Sequence, residues 1–169
     1  MASLNNGKDE VCAWIRKHFR AKDTRILDVG ACNGIWKILL PEYRMDACEA
    51  WEPNARQIKG LYQNVFVRDI AQLTYKWYDL IIFGDVIEHM DVATARHVLS
   101  YAWTRCRDLI VAVPYLWPQG AYNGNPWEVH IQDDLTPEIF AERYPDLEVL
   151  LPAGEQYCYY HKRTNDDLR

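Results

Sequence analysis

The sequence lacks the features that mark disulfide-rich, zinc-binding and membrane proteins. Its five cysteines are scattered over 169 residues without a CxxC pair, so we predict neither a disulfide framework nor a thiolate zinc site. The longest apolar runs, such as Leu80 to Phe83, are far too short to cross a bilayer. The first ten residues contain no apolar signal core and are not rich in arginine, so we expect no targeting segment and a cytoplasmic location.

Basic residues are also scarce relative to acidic ones. Lys and Arg total 19 while Asp and Glu total 24, which gives a net charge of −5. Because proteins bind nucleic acid largely by neutralising phosphates with Lys and Arg, a nucleic-acid partner is disfavoured. The chain shows no internal repeat, linker or low-complexity tract, and its length predicts a single domain over residues 1–169.

Short apolar segments alternate with amphipathic ones along most of the chain. Apolar residues recur at helical spacing from Lys8 to Arg20, within an N-terminal region at residues 1–22, and again from Asp91 to Arg105. Tyr78 to Gly84 is apolar without alternation, as expected for a parallel strand buried on both faces. The alternation predicts an α/β fold with a parallel sheet, followed by a terminal hairpin. The predicted strands cover residues 26–29, 45–52, 65–68, 78–84, 109–113, 147–151 and 156–161, and a frayed tail follows at Asn165 to Arg169.

A glycine loop connects the first predicted strand to a helix. Gly30 and Gly34 follow the strand, and apolar residues resume at Ile35. Because glycine tolerates positive φ and has no side chain, such a loop brings backbone N–H groups and a helix N-terminus close to a ligand. The dinucleotide motif GxGxxG fails, since Cys32 and Ile35 stand where two of its glycines belong, and no Walker loop is present. An NAD site and a Walker-type phosphate site are therefore disfavoured.

Each of the first four predicted strands has an acidic residue at its carboxyl end or just after it. The four acidic residues are Asp28, which precedes the glycine loop, and Glu52, Asp69 and Asp85. In open α/β sheets the ligand binds outside the carboxyl ends of the strands, so the four side chains are expected at one site. Glu52 lies 24 positions after Asp28, close to the spacing at which an acid binds the hydroxyls of an adenosine ribose.

The glycine loop and the four acidic residues resemble the motifs of the class I S-adenosylmethionine-dependent methyltransferases. The resemblance extends from Arg25 to about Tyr160. The family's (D/E)xGxGxG loop is matched by Asp28, Gly30 and Gly34, and its DxIxxxDVxEH pattern by the stretch from Asp79 to His89. The resemblance implies a Rossmann-like doubly wound, mostly parallel seven-stranded sheet with an antiparallel last strand. It also implies S-adenosylmethionine as cofactor.

The same resemblance implies which residues bind that cofactor. The acid closing the second strand would bind ribose, and the acid and apolar residue after the third strand would contact adenine. Cys32 replaces the middle glycine of the loop and would narrow the approach to the cofactor, although a side chain of alanine size is accommodated there if φ is negative. The implied residues are Asp28, Gly30, Ala31, Cys32, Asn33, Gly34, Glu52, Pro53, Asp69, Ile70, Asp85 and Val86.

The methyl acceptor must be inferred from other residues. The (D/N/S)PP(Y/F) motif of nucleic-acid amine methyltransferases is absent, because Asp85 to Glu88 stands in its place. The loop at residues 115–134 offers aromatic faces and amides, which suit stacking of a ring and hydrogen bonding of its hydroxyls. His89 and His130 are candidate general bases, which help when the acceptor is a hydroxyl. We therefore predict methyl transfer to a small-molecule hydroxyl, with the loop as substrate lid.

Two alternatives stay open. Asp85, Glu88, His89 and His130 form a suitable ligand set for a divalent metal. The set is similar to the metal ligands of small-RNA 3′-terminal ribose 2′-O-methyltransferases, although the acidic balance suits RNA poorly. The second alternative is a non-catalytic partner protein that retains the fold, which would have no physical need for carboxylates at its strand ends. Our prediction is an enzyme without a bound metal.

Overall fold

The computed structural model describes residues 6–163 as a sheet flanked by helices. The predicted tail from Asn165 to Arg169 and the first five residues of the N-terminal region lie outside the described residues. The strands are β1 (Arg25–Val29), β2 (Arg44–Glu49), β3 (Val65–Val67), β4 (Tyr78–Gly84), β5 (Cys106–Pro114), β6 (Glu148–Pro152) and β7 (Tyr157–Arg163). The α-helices are α1 (Lys8–His18), α2 (Ile35–Leu39), α3 (Glu52–Gln57), α4 (Val92–Trp103) and α5 (Pro137–Arg143).

The seven strands form one sheet in the order β3-β2-β1-β4-β5-β7-β6. Pairing is parallel from β3 through β5, and β7 runs antiparallel to both of its neighbours, β5 and β6. This arrangement confirms the predicted Rossmann-like, mostly parallel sheet with an antiparallel last strand. The strand order reverses between β1 and β4, which is the point where such sheets bind ligands.

Both faces of the sheet are buried, which explains why β4 shows no polar alternation. Ile81 and Phe83 point into one hydrophobic core, while Leu80 and Ile82 point into the other. Helices α4 and α5 contribute to the first core, and α1 and α2 to the second. None of the helices within residues 6–163 combines the length and the apolar character that crossing a bilayer requires.

The second strand ends earlier than predicted. It stops at Glu49, and α3 begins at Glu52 with Pro53 in its first turn. Proline is favoured there because its fixed φ suits a helix and its missing N–H would have no intrahelical partner. Since Trp51 already occupies the N-cap of α3, the predicted extension of the strand to residue 52 is wrong.

Candidate active site

A cavity of about 320 Å³ opens at the carboxyl edge of the sheet, around the point where β1 and β4 meet. Its size is within the range of small-molecule sites. Most of the residues predicted to bind a ligand line it, although they come from four separate segments of the chain. They are Gly30, Ala31, Cys32, Asn33, Asp69, Ile70, Asp85, Val86, His89 and His130.

The glycine loop leaves no room for a side chain at Gly30. Its φ is +68°, and a Cβ atom there would lie 2.5 Å from Cγ2 of Val86. Its N–H donates to the carbonyl of Cys48 at 2.8 Å, which fixes the loop against the end of β2. The bare backbone of the loop is therefore held against the cavity, as a tightly bound ligand requires.

Cys32 adopts a conformation that the sequence did not predict. Its φ is +44°, so the condition of negative φ, under which the sequence admits a small side chain at this position, is not met. The left-handed turn is held by the Cys32 N–H, which donates to Oε2 of Glu49 at 2.8 Å. Burial raises the pKa of the Cys32 thiol to about 11, so this sulfur is a neutral part of the cavity wall.

Glu49, which the sequence analysis missed, stands where Glu52 was expected. It ends β2, is 5% exposed and lines the cavity. Its carboxylate accepts the N–H groups of Cys32 at 2.8 Å and Trp51 at 2.9 Å. Burial raises the pKa of Glu49, and those two N–H donors counteract the increase by stabilising its charge.

Glu52 is not part of the cavity lining. Its side chain is exposed and forms an ion pair with Arg56, one turn further along α3, at 2.7 Å. Pro53 is exposed as well and also lies outside the lining. The predicted placement of Glu52 and Pro53 at the ligand site is therefore wrong, because the helix begins three residues after the strand has ended.

Asp28 and Gly34 also lie behind the cavity wall instead of in it. Asp28 is buried and accepts a hydrogen bond from the Tyr62 hydroxyl at 2.5 Å. Burial raises the pKa of Asp28 to about 7, although the bond from Tyr62 lowers it. Gly34 has φ of +77° and faces Leu61 and Ile58. Both residues shape the glycine loop from beneath and make no contact with the cavity.

Asp85 closes the floor of the cavity together with the last strand. It has φ of +59° and follows β4, and its Oδ1 accepts a hydrogen bond from the Tyr157 hydroxyl at 2.6 Å. Tyr157 begins β7 and lines the cavity. Lys8, the first residue of α1, is 1% exposed and lies 5.7 Å from the centroid of the Tyr157 ring. Both Tyr157 and Lys8 were missed because neither belongs to a recognisable motif.

His89 and His130 lie side by side, with ring centroids 4.6 Å apart. Nδ1 of His89 is 3.1 Å from the carbonyl of Val129, and Nδ1 of His130 is 2.6 Å from the carbonyl of Trp117. Because a carbonyl oxygen only accepts hydrogen bonds, each Nδ1 carries the proton and each Nε2 keeps a lone pair. Burial lowers the pKa of His89 to about 4 and also lowers that of His130. Both imidazoles are therefore neutral at pH 7.

The loop at residues 115–134 is attached to the segment that carries Glu88 and His89. The N–H groups of Ile131 and Gln132 both donate to the carbonyl of Glu88, and the Gln132 side chain donates to the carbonyl of Ile87 at 2.8 Å. Trp117 and Trp127 of this loop line the cavity. The loop thus forms one wall of the cavity and is fixed at the position of the histidines.

The cavity lining is strongly acidic. Among the described residues, one arginine and no lysine belong to it, and the arginine is Arg68. Its six carboxylate residues are Glu49, Asp69, Asp85, Glu88, Asp91 and Glu128. Such a lining favours a ligand that carries positive charge and disfavours one that carries phosphates.

No protein-family model matches the chain, and no curated protein matches it at a significant level of sequence similarity. Solved structures do share its fold. An S-adenosylmethionine-dependent methyltransferase from Clostridium acetobutylicum has a TM-score of 0.71 at 10% identity, over 98% of this chain and 93% of that one. Magnesium protoporphyrin IX methyltransferase from Synechocystis, solved with bound SAM, has a TM-score of 0.67 at 17% identity, over 93% of this chain and 77% of that one.

A third similar structure is that of the mitomycin 7-O-methyltransferase MmcR, with a TM-score of 0.61 at 14% identity. The match covers 93% of this chain but 54% of that protein, so the chain spans about half its length. Identities this low relate the folds and not the substrates. The chain therefore has the Rossmann-like fold that S-adenosylmethionine-dependent methyltransferases share.

Proposed function

We propose that the chain is an S-adenosylmethionine-dependent methyltransferase that acts on a hydroxyl of a small molecule. The observation that carries the proposal is the cavity at the β1/β4 switch point, which is lined by both the glycine loop at Gly30 and the buried Glu49. The fold alone does not determine a reaction. The chemistry of the cavity lining is therefore what supports methyl transfer.

The residues present fit this cofactor. A Cβ atom at Gly30 would collide with Val86, so this end of the loop requires glycine, and the loop backbone from Gly30 to Asn33 lines the cavity. Glu49 offers carboxylate oxygens for the ribose hydroxyls, and Asp69 with Ile70 would hold the adenine. Bound S-adenosylmethionine supplies a methyl group on a positively charged sulfur, which a nucleophile can displace. The acidic lining stabilises that positive charge, as well as the charge of the amino group.

The histidine side of the cavity suits an acceptor hydroxyl. His89 and His130 each keep a lone pair on Nε2, so they are the groups to which we assign removal of the hydroxyl proton. The pKa of about 4 makes His89 a weak base, so we assign the proton transfer itself to His130 and a positioning role to His89. Trp117 and Trp127 offer ring faces beside them. Holding the acceptor against the methyl group is the larger part of the catalysis, because in-line displacement depends on orientation.

The two alternatives receive less support from the lining. An RNA acceptor would place phosphates beside the acidic wall, where Arg68 is the one lining arginine among the described residues. A non-catalytic partner would have no use for two neutral imidazoles side by side at a cavity, whereas the Glu49 carboxylate also serves the fold by accepting the N–H groups of Cys32 and Trp51.

Titration calorimetry of the purified protein with S-adenosylhomocysteine tests the cofactor assignment. We expect saturable binding at one site, and we expect no binding of ATP or NAD under the same conditions, because the acidic lining repels phosphates. The absence of S-adenosylhomocysteine binding would contradict the proposed function and would favour the non-catalytic alternative. If binding is found, transfer of labelled methyl groups to a panel of phenols, sugars and amines identifies the acceptor.

Trp117→Ala and Trp127→Ala are expected to raise the KM for that acceptor by roughly three- to tenfold, since an aromatic contact contributes about 0.5–1.5 kcal/mol beyond burial. The affinity for S-adenosylhomocysteine should not change. Trp77→Ala is the matched control. Trp77 is 42% exposed and directly precedes β4, so it lies at the amino end of the strand, whereas the cavity lies at the carboxyl ends. An unchanged acceptor KM in both loop variants would show that the loop does not bind the acceptor.

A further inference from the structure

Glu88 is the most unusual polar residue of the cavity. Its side chain is fully buried, beneath the loop at residues 115–134. Burial and the charge of Asp85 raise the pKa of Glu88 well above its usual range, and backbone amide groups near Val86 and Glu88 counteract this only in part. Neither carboxyl oxygen has a hydrogen-bond partner of regular geometry within residues 6–163. A buried carboxylate left in this state is costly, and such groups usually bind an ion or an ordered water.

The groups that face Glu88 identify which kind of partner it lacks. One donor atom each of Glu88, His89 and His130 lies within 4.8 Å of the other two, and Nε2 of His89 is 4.0 Å from Oε1 of Glu88. Ligand atoms that share one metal ion are roughly 3–4 Å apart, given bonds of about 2.0–2.2 Å. A small rotation of these side chains therefore suffices to bring the three donors to a common ion.

The hydrogen bonds of the two histidines are those of metal ligands. Each imidazole donates its Nδ1 proton to a backbone carbonyl, Val129 for His89 and Trp117 for His130, so that each Nε2 is left to bind. A ligating histidine nearly always has such a second partner, because it fixes the tautomer and the ring orientation. Both carbonyls belong to the loop at residues 115–134, which places the loop around the donor cluster.

We propose that Glu88, His89 and His130 bind one divalent transition-metal ion at the edge of the cofactor cavity. Two imidazoles and one carboxylate suit Zn²⁺, Co²⁺, Mn²⁺ or Fe²⁺, and not Mg²⁺, which prefers an all-oxygen shell. Asp85 is not a member of the cluster, and its carboxylate accepts the Tyr157 hydroxyl instead. Three protein ligands leave at least one coordination position open toward the cavity.

The metal site deepens the proposed function. Only the catalytic role of the metal rests on that function. An acceptor hydroxyl in the open position would lose its proton more easily, because a bound cation lowers the pKa of an oxygen ligand. The imidazoles would then act as ligands, the ion would stabilise the alkoxide form of the acceptor, and the hydroxyl proton would pass to solvent water. Metal binding itself needs neither the cofactor nor the acceptor, so it is testable separately.

The test is titration of the EDTA-treated, dialysed protein with Co²⁺, followed by visible absorption, and with Zn²⁺, followed by calorimetry. We expect one equivalent to bind, a rise in the melting temperature on addition of metal, and no displacement by Mg²⁺. His130→Ala and Glu88→Gln should each weaken binding at least tenfold, since even the loss of a second-shell partner typically costs 10- to 100-fold. Glu88→Gln keeps the shape of the side chain, so it is expected to fold.

His97→Ala is the matched control, because His97 is exposed on α4 and away from the cluster. It should bind Co²⁺ as the wild type does. No metal binding by the wild type, or equal binding by all variants, would overturn the metal site and leave the imidazoles as direct bases. Binding of metal without binding of S-adenosylhomocysteine would instead retain the metal site and overturn the proposed function.

Discussion

Glu49→Gln is expected to weaken binding of S-adenosylhomocysteine about 10- to 100-fold. A hydrogen bond to a charged group contributes roughly 1.5–3 kcal/mol, and about 1.4 kcal/mol corresponds to a factor of ten in affinity. The amide oxygen of the variant can still accept one of the N–H groups of Cys32 and Trp51, so the loop should keep its conformation. Titration calorimetry and thermal unfolding together separate a binding defect from a folding defect.

Glu52→Gln is the matched control for this measurement. Glu52 is exposed and paired with Arg56, outside the cavity lining, so its replacement should leave the affinity unchanged. If Glu52→Gln weakened binding while Glu49→Gln did not, the ribose would have to be bound by α3, and the assignment of Glu49 would fail.

His89→Ala and His130→Ala should each lower kcat by about 10²- to 10⁴-fold once an acceptor has been found. The affinity for S-adenosylhomocysteine should stay the same, because both residues lie on the acceptor side of the cavity. The double variant is expected to lose little more than either single variant, since residues that act as one unit are not additive. Steady-state methyl transfer, measured beside His97→Ala, tests the prediction.

A kcat that stays within twofold of the wild type in both single variants would exclude a role for the histidines in the reaction. The acceptor would then have to be a nucleophile that needs no base, such as a neutral amine. The cofactor assignment would be unaffected, because it rests on Gly30 and Glu49 and not on the imidazoles.

The sheet could be predicted from the sequence because its strands are buried on both faces. Tyr78 to Gly84 is apolar except at Asp79, and its limits are those predicted from the sequence. Segments with this composition have little alternative to a central strand. The terminal hairpin predicts that the last strand is antiparallel to β6, whereas its antiparallel place beside β5 was implied only by the family resemblance.

The residues that line the cavity were harder to predict, because they depend on where strands end. The sequence CEAWEPN offers two glutamates, and a shift of three residues separates the one at the cavity from the one on the surface. Pro53 contained the missing information, since proline in the first helical turn requires the strand to have ended before it. Cys32 shows the same dependence on local backbone, because its positive φ is imposed by the bond to Glu49 and not by its residue type.

The position of Tyr157 in the chain determines when the cavity is completed relative to formation of the sheet. It begins β7, which enters the sheet between β5 and β6 although it follows both in the chain. A nascent chain can therefore assemble β1 to β5 early, but β5 keeps an open edge until β7 has left the ribosome and has paired. The hydroxyl that fixes Asp85 arrives only with that strand. Affinity for the proposed cofactor should thus appear only after β7 has been synthesised, when β1 to β5 have already formed most of the sheet.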